Sequence, residues 1–342
     1  MFRARPDLGS ARNHHHPRVV AITGASSGVG RACARAFAAT GDDVALIARS
    51  PDALKSAAME AERLGRRALV LPLDVSHAQQ VEDAATEIED ELGPIDVWVN
   101  DAMVSVYSPV FSLRADEVAR VTAVNYLGTV YGTMAALRRM RARDAGTIVQ
   151  VGSGLAYRSI PLQAPYCASK HAIRAFTEAT RTELLHEGSR VRITMVQLPG
   201  LNTPHFTRVR SRMPRAVRPV APVFTPELAA KTVLRAADRP RREYVVGGRT
   251  ALTIAAQKAA PGLLDRYLAW TGFRSQVTVD PATTQEDNLF EPLPGDPGAT
   301  GPFEAEARDR SIQATISTHR AAIAAGGISL GVIAVPASRA RR

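Results

Sequence analysis

Three side chains late in the first half of the chain have the types and spacing to move a proton. They are Ser153, Tyr166 and Lys170. Apolar or small residues at Ala168, Ala172, Ile173, Phe176 and Ala179 follow Pro165 at helical spacing, so Tyr166 and Lys170 fall one turn apart on one helix face. An ammonium beside a phenol favours the phenolate and draws its pKa down from about 10 toward neutrality. A phenol so tuned exchanges protons at physiological pH. The run Thr147–Val151 before Ser153 is apolar and β-branched, as in a buried strand. Ser153 therefore belongs at a strand's C-terminal end, where open parallel sheets gather their chemistry, and its hydroxyl could hold an alcohol or carbonyl oxygen. Tyr-x-x-x-Lys alone is short and equally at home in an ordinary amphipathic helix, so the chemistry depends on its company.

That company begins near the N-terminus. Arg18–Thr23 is a short apolar run, followed by Gly24-Ala-Ser26-Ser27-Gly28-Val29-Gly30 and a helical stretch to Thr40. Strand, glycine-rich turn and helix are the context that binds a dinucleotide pyrophosphate: glycines admit the backbone close to the phosphates, and free N–H groups at the helix start favour their charge. The spacing is Gly-x-x-x-Gly-x-Gly, and no Gly-Lys-Ser/Thr follows, which disfavours a nucleoside triphosphatase. The second strand, Asp43–Ala48, ends at Arg49 where NAD-binding chains commonly place an acid. A guanidinium suits a 2′-phosphate, with Ser26 and Ser50 as further donors, so NADP is favoured over NAD.

Helices are expected over Pro51–Leu64, His77–Leu92 and Ala115–Tyr126, the last running on to Arg143. Strands are expected over Ala68–Leu73, Ile95–Asn100, Thr147–Val151, Val191–Gln197 and Tyr244–Val246, with a helix over Pro226–Ala237. Asn125 lies within helix among apolar Val121, Val124 and Leu127, a placement that is unfavourable unless its side chain has a task. The strand–helix alternation predicts an α/β, Rossmann-type doubly wound parallel sheet with helices on both faces.

With these residues together, the chain resembles the short-chain dehydrogenase/reductase superfamily over about Arg18 to Gly248. The resemblance rests on Thr23–Gly30, Asp74-Val75, Asn100, Asn125, Ser153, Tyr166-Cys-Ala-Ser-Lys170 and Pro199-Gly200, in the family's order, with the serine 13 residues before the tyrosine. It implies seven strands in the order 3-2-1-4-5-6-7. Tyr166 would be the acid/base, and Lys170 would tune it and hold the nicotinamide ribose. Ser153 would orient the carbonyl oxygen, and Asn125 would keep a water in a proton relay. The glycine turn (Gly24, Ser26, Ser27, Gly28, Val29, Gly30), Asp74, Val75, Asn100, Ala102, Pro199 and Gly200 would bind the cofactor, with Thr203 near its carboxamide and diphosphate. Two departures stand out. The usual Asn-Asn-Ala-Gly is Asn100-Asp101-Ala102-Met103, the lost glycine placing a side chain where the backbone usually nears the cofactor, and some 90 residues follow the seventh strand.

The organisation read from the chain is a tail over 1–17, a catalytic domain over 18–250 and an extension over 251–342. Two short helices divided by Pro261-Gly262 lie between Leu252 and Trp270, Asp280–Pro302 is loop-forming, and Asn288–Pro292 is a segment fit to dock on the core. The uncharged segment 321–337, flanked by arginines, is at the lower limit of about 17 residues for a membrane span.

Two cysteines, Cys33 and Cys167, imply no disulfide framework, and the N-terminus has no secretory h-region, so a cytoplasmic enzyme is expected, with membrane association through the C-terminal segment as an added expectation. The net charge of +10 lies wholly in the first 250 residues, and the stretch between Glu187 and Glu227 contains seven arginines and no acidic residue. Such a field attracts anionic substrates or surfaces. Without aromatic interleaving or a nucleic-acid module, no nucleic-acid partner is expected. The leading expectation is an NADPH-dependent oxidoreductase for a hydrophobic alcohol or carbonyl, working as a dimer or tetramer without a metal. The segment Leu201–Phe224 would be its lid, and Val104, Val106, Leu155, Ile160 and Leu162 candidate pocket walls. The alternatives are an epimerase or dehydratase, or a non-catalytic nucleotide sensor or membrane-tethered scaffold on the same fold.

Overall fold

A computed structural model describes residues 17–282, 286–311 and 313. The histidine run at 14–16, almost all of the 1–17 tail and the apolar 321–337 segment lie outside the described residues. Seven strands form the central sheet: β1 (Val19–Thr23), β2 (Asp43–Ala48), β3 (Ala68–Pro72), β4 (Ile95–Asn100), β5 (Thr147–Ser153), β6 (Arg192–Leu198) and β7 (Glu243–Val245). Their spatial order is 3-2-1-4-5-6-7, and every neighbouring pair is parallel. This is the expected Rossmann-type α/β sheet, with its chain reversal between β1 and β4.

The apolar strand runs follow from burial on both faces. In β1, Val20 and Ile22 point into one core with Phe37, Leu46, Val99 and Val233. Val19 and Ala21 point into the other, with Trp98, Met140, Ile148 and Ile193. The period of two thus divides the strand between two helical layers. One layer contains α1 (Gly28–Ala39), α2 (Pro51–Glu62) and α7 (Pro226–Asp238), with α1 packed on α2 and α7. The other contains α3 (Ala78–Glu91), α4 (Ala115–Val121), α5 (Gly128–Arg143) and α6 (Ala164–His186), with α3 against α5.

The expected long helix from Ala115 to Arg143 is continuous but widens to a π-turn over Thr122–Leu127, which contains Asn125. Such widenings are frequent at functional sites. Beyond β7 come α8 (Gly248–Ala259) and α9 (Pro261–Thr271), the latter starting with Pro261 as its first residue. Short pairings clamp the region after β6: Val106–Tyr107 runs parallel to Arg210–Ser211, and Arg215–Val217 pairs antiparallel with Val277–Pro281. Among the described residues, no helix is long and apolar enough to cross a membrane.

Candidate active site

The C-terminal ends of β1, β2, β4, β5 and β6 open onto one cavity of about 710 Å³, in the size range of ligand pockets. Its floor at β1 is the glycine turn. Gly24 has φ +75° and Gly28 φ +54°, in the left-handed region that favours glycine. A Cβ on Gly30 would sit 2.4 Å from the Gly24 carbonyl oxygen, so only glycine lets α1 start this close to β1. The Thr23 hydroxyl accepts from the Asp101 and Ala102 N–H groups at 3.0 and 3.2 Å, joining the turn to the end of β4.

Ser153 ends β5, and Tyr166 and Lys170 lie on α6. All three line the cavity. The Ser153 hydroxyl stands near enough to the Tyr166 phenol to act on its pKa, and its oxygen accepts from the Leu155 N–H at 3.1 Å. Lys170 is buried, donates from Nζ to the Val151 carbonyl at 2.8 Å, and stands 5.6 Å from the Tyr166 ring centroid.

The expected lowering of the phenol pKa by Lys170 is not what this geometry produces. Burial holds the Tyr166 phenol well above its ordinary value, the Ser153 hydroxyl opposes that rise, and Cys167 and Asp101 add to it. The physical reason is position: the ammonium lies over the ring face, a cation–π placement, and is engaged by a carbonyl.

Asp101, at the position where the family usually has asparagine, is a titratable member of the site that the sequence reading did not use. Its carboxyl lies against Gly30 at the start of α1, and it lines the cavity. Burial raises the Asp101 carboxyl, with Lys170 and the Gly30 N–H opposing; burial lowers Lys170, with Asp101 opposing. The two form a buried, mutually dependent pair.

Among the residues expected at the cofactor, Gly24, Ser26, Ser27, Gly28, Val29, Arg49, Asp74, Val75, Ala102, Pro199, Gly200 and Thr203 line the same cavity. Gly30 supports the turn from below. Asn100 does not line the cavity: its side chain accepts from Trp98 Nε1 at 2.9 Å and donates to Gln150 and Thr133 at 2.9 and 3.2 Å. It braces the end of β4. Asn125 is likewise off the cavity wall, buried, with its amide paired to both main-chain groups of Val104 at 2.8 and 3.0 Å and to the Ser169 hydroxyl at 3.2 Å. Its task in the helix is to hold the chain that leaves β4.

Asp74 is gripped by Arg120 at 2.5 Å and by the Ser76 N–H and hydroxyl at 2.9 and 2.7 Å, and these partners hold its carboxyl below the usual range against the effect of burial. Arg49 donates to the Phe290 carbonyl at 2.6 Å and to the Asn288 carbonyl. Burial and Arg120 lower its pKa, while Asp74 and Glu291 oppose. The extension therefore reaches the cavity beside Arg49, and Asn288, Pro292, Leu293 and Pro297 form part of its wall. Further along, Asp296 pairs with Arg31, and the Gly298 carbonyl accepts from the Gly28 N–H at 3.2 Å.

The cavity wall also carries apolar side chains, among polar ones such as Arg158, Arg249 and Arg274. Leu155, Ile160 and Val104 line it as expected, joined by Phe206, Leu264 and Leu268. Leu162 and Val106 do not: Leu162 packs with Tyr107, Val209 and Val217, and Val106 is in the core under the sheet. Burial lowers the cavity-lining His205 to about 4, leaving a neutral ring at pH 7 beside Phe206 at 5.2 Å between centroids. The arginine-rich segment is largely neutralised. Glu117, fully buried, accepts from Arg210 and Arg212 at 3.2 and 2.6 Å, and Arg190 and Arg218 pair with Asp144 and Glu306.

A sheet with this order, a glycine turn at its reversal and a Ser–Tyr–Lys cluster at the strand ends define a class of nucleotide-binding oxidoreductase. The family model "short chain dehydrogenase" matches residues 18–214, and the chain belongs to that family. It is 30% identical to the uncharacterized oxidoreductase YxnA of Bacillus subtilis strain 168, over 80% of this chain and 77% of that one. It is 32% identical to dehydrogenase/reductase SDR family member 7B of Xenopus tropicalis, over 73% and 84%. Among solved structures, an alcohol dehydrogenase of the archaeon Thermococcus sibiricus, complexed with 5-hydroxy-NADP, aligns at 27% identity and TM-score 0.59, over 68% of this chain and 96% of that one. The chain is thus a short-chain dehydrogenase/reductase enzyme, of a family that uses NAD(P).

Proposed function

We propose that this enzyme is an NADPH-dependent reductase of an apolar carbonyl compound, with Tyr166 as proton donor. The observation that carries the reading is the convergence of Ser153, Tyr166 and Lys170 with the glycine turn and Arg49 on one cavity, whose wall also carries Leu155, Ile160, Phe206, Leu264 and Leu268. The residues fit a dinucleotide: Gly24 and Gly28 take left-handed backbone and Gly30 lets α1 start against β1 at the cavity wall, Arg49 supplies a forked cation, and the Asn288 Oδ1 is a buried acceptor with no partner among the described residues. The cofactor, when bound, supplies the hydride chemistry.

The chain's own part is protonic and positional. Ser153 and Tyr166 hold the substrate oxygen between two hydroxyls. Burial keeps Tyr166 protonated at neutral pH, the state that a donor to a nascent alkoxide requires. Lys170, buried beside Tyr166, would hold ribose hydroxyls and carry the compensating positive charge. Val104, Leu155, Ile160, Phe206, Leu264 and Leu268 exclude water from the reacting end and favour an aliphatic or aromatic carbonyl.

A relative named 3-ketodihydrosphingosine reductase, from Bos taurus, is 30% identical over 63% of this chain and 67% of that one, which supports a long-chain substrate here. The outward stripe Leu263, Tyr267 and Trp270 on α9 is exposed, with Tyr267 also lining the cavity, and this supports contact with a lipid surface. We also infer a homo-oligomer, as the resemblance to the family implies. The test is NADPH oxidation over ketones and aldehydes of graded chain length: kcat/KM should climb with apolar length. A panel-wide absence of turnover despite NADPH binding would support a nucleotide sensor instead.

A further inference from the structure

The strand-end cavity is closed at its adenosine end by residues far outside the family's usual span. Three consecutive main-chain carbonyls meet two arginines there. Asn288 and Phe290 accept from Arg49, and Leu289 accepts from Arg120 at 3.0 Å. Arg120 in turn holds Asp74. The segment does not merely rest on the surface. The Leu289 side chain is fully buried in the core cluster that includes Val75, Val104 and Val121. The Asn288 N–H donates to the Arg208 carbonyl at 2.9 Å, and Asp287 pairs with Arg210 at 2.8 Å and caps the Leu289 N–H at 3.1 Å.

A guanidinium has five N–H groups in a rigid fork. The carbonyls take one on each terminal nitrogen of Arg49, and the remaining N–H groups have no acceptor among the described residues. A long side chain on a cleft rim normally loses rotamer entropy when it clamps an anion. Here the clamp is already set, because one edge of the fork is tied to an anchored backbone. Asn288 contributes its unpartnered Oδ1 to the same wall, within the cavity that Ser26, Ser50 and Arg49 line.

We propose that Asp287–Phe290 is a built part of the cofactor site, in which the anchored carbonyls orient Arg49 for a 2′-phosphate and so set the preference for NADP. This rests on the NADP reading above. Leu289 is a positioning residue acting through Arg49, and the test separates that role from a general structural one.

Calorimetric titration of the full chain with 2′,5′-ADP and with 5′-AMP reads the phosphate and the nucleoside separately. The wild type should bind 2′,5′-ADP more tightly. Leu289→Ala should lose about tenfold on 2′,5′-ADP and little on 5′-AMP, whose affinity reports an intact cleft. In an Arg49→Gln background the same substitution should cost 2′,5′-ADP nothing further. Asp287→Ala, which frees the segment without opening the core, should show the same selectivity with a smaller loss.

Equal losses on both nucleotides, or a loss that persists without Arg49, would make the segment merely structural and overturn the proposal. A gain in 2′,5′-ADP affinity would overturn it too, showing that the carbonyls compete with the phosphate. A wild type that binds both nucleotides alike would remove the NADP reading itself, and the proposal with it.

Discussion

Lys170 Nζ donates to the carbonyl of Val151 at 2.8 Å, two residues before Ser153. That bond ties α6 to the end of β5, so one contact fixes the phenol on the helix relative to the hydroxyl on the strand. A buried ammonium costs free energy unless it is paired, and here the partners are a carbonyl and the Asp101 carboxylate. The site is therefore organised by the lysine as much as by the tyrosine it accompanies.

Asp101→Asn tests that dependence through pH. Burial lowers Lys170, and the Asp101 carboxylate opposes the effect. Without the carboxylate the lysine should lose its proton at lower pH. If turnover needs the ammonium, activity falls as pH rises through the lysine pKa, so the alkaline limb of the kcat/KM profile should move to lower pH. An unmoved limb would show that Asp101 does not support the lysine's charge.

Arg49→Glu addresses the cofactor. Placing a carboxylate where a 2′-phosphate would lie should raise the NADPH dissociation constant by about a hundredfold while changing NADH by only a few-fold. Fluorescence quenching with each nucleotide measures both. Equal effects on the two would remove the NADP assignment.

Much of this was legible in the sequence, for physical reasons that differ by element. Strands β1 and β2 were visible because burial on both faces leaves unbroken apolar runs. The glycine turn was visible because no other residue permits Gly30 to approach the Gly24 carbonyl. Spacing placed Tyr166 and Lys170 on one face, but it does not specify rotamers, so the position of the ammonium over the ring and its bond to Val151 were not readable. The docking of Asn288–Pro292 was anticipated from its residues. Its hold on Arg49 was not, because main-chain carbonyls leave no side-chain signature. The pairing of Asp74 with Arg120 spans 46 positions and carries no local periodicity.

Glu117 makes a prediction for stability. This buried carboxylate accepts from Arg210, Arg212 and the Arg114 N–H, and these partners hold its pKa below the ordinary value against the effect of burial. A depressed carboxylate stabilises the fold above its unfolded pKa, and that contribution is lost as pH falls through the folded value. Glu117→Gln should therefore cost about 2 kcal/mol at pH 7, or roughly 3 °C in melting temperature. The gap to wild type should narrow on acidification below the ordinary glutamate range near 4.5. A gap constant with pH would assign the effect to packing alone.

The central claim is that the Tyr166 hydroxyl delivers the proton in a cleft shared with the nicotinamide nucleotide. Its most direct test is Tyr166→Phe, assayed for NADPH oxidation with a carbonyl that the wild type turns over, alongside NADPH binding by fluorescence. The account predicts a loss in kcat of at least about a thousandfold, with NADPH affinity within about threefold of wild type. Substantial remaining turnover with the phenylalanine in place would contradict it.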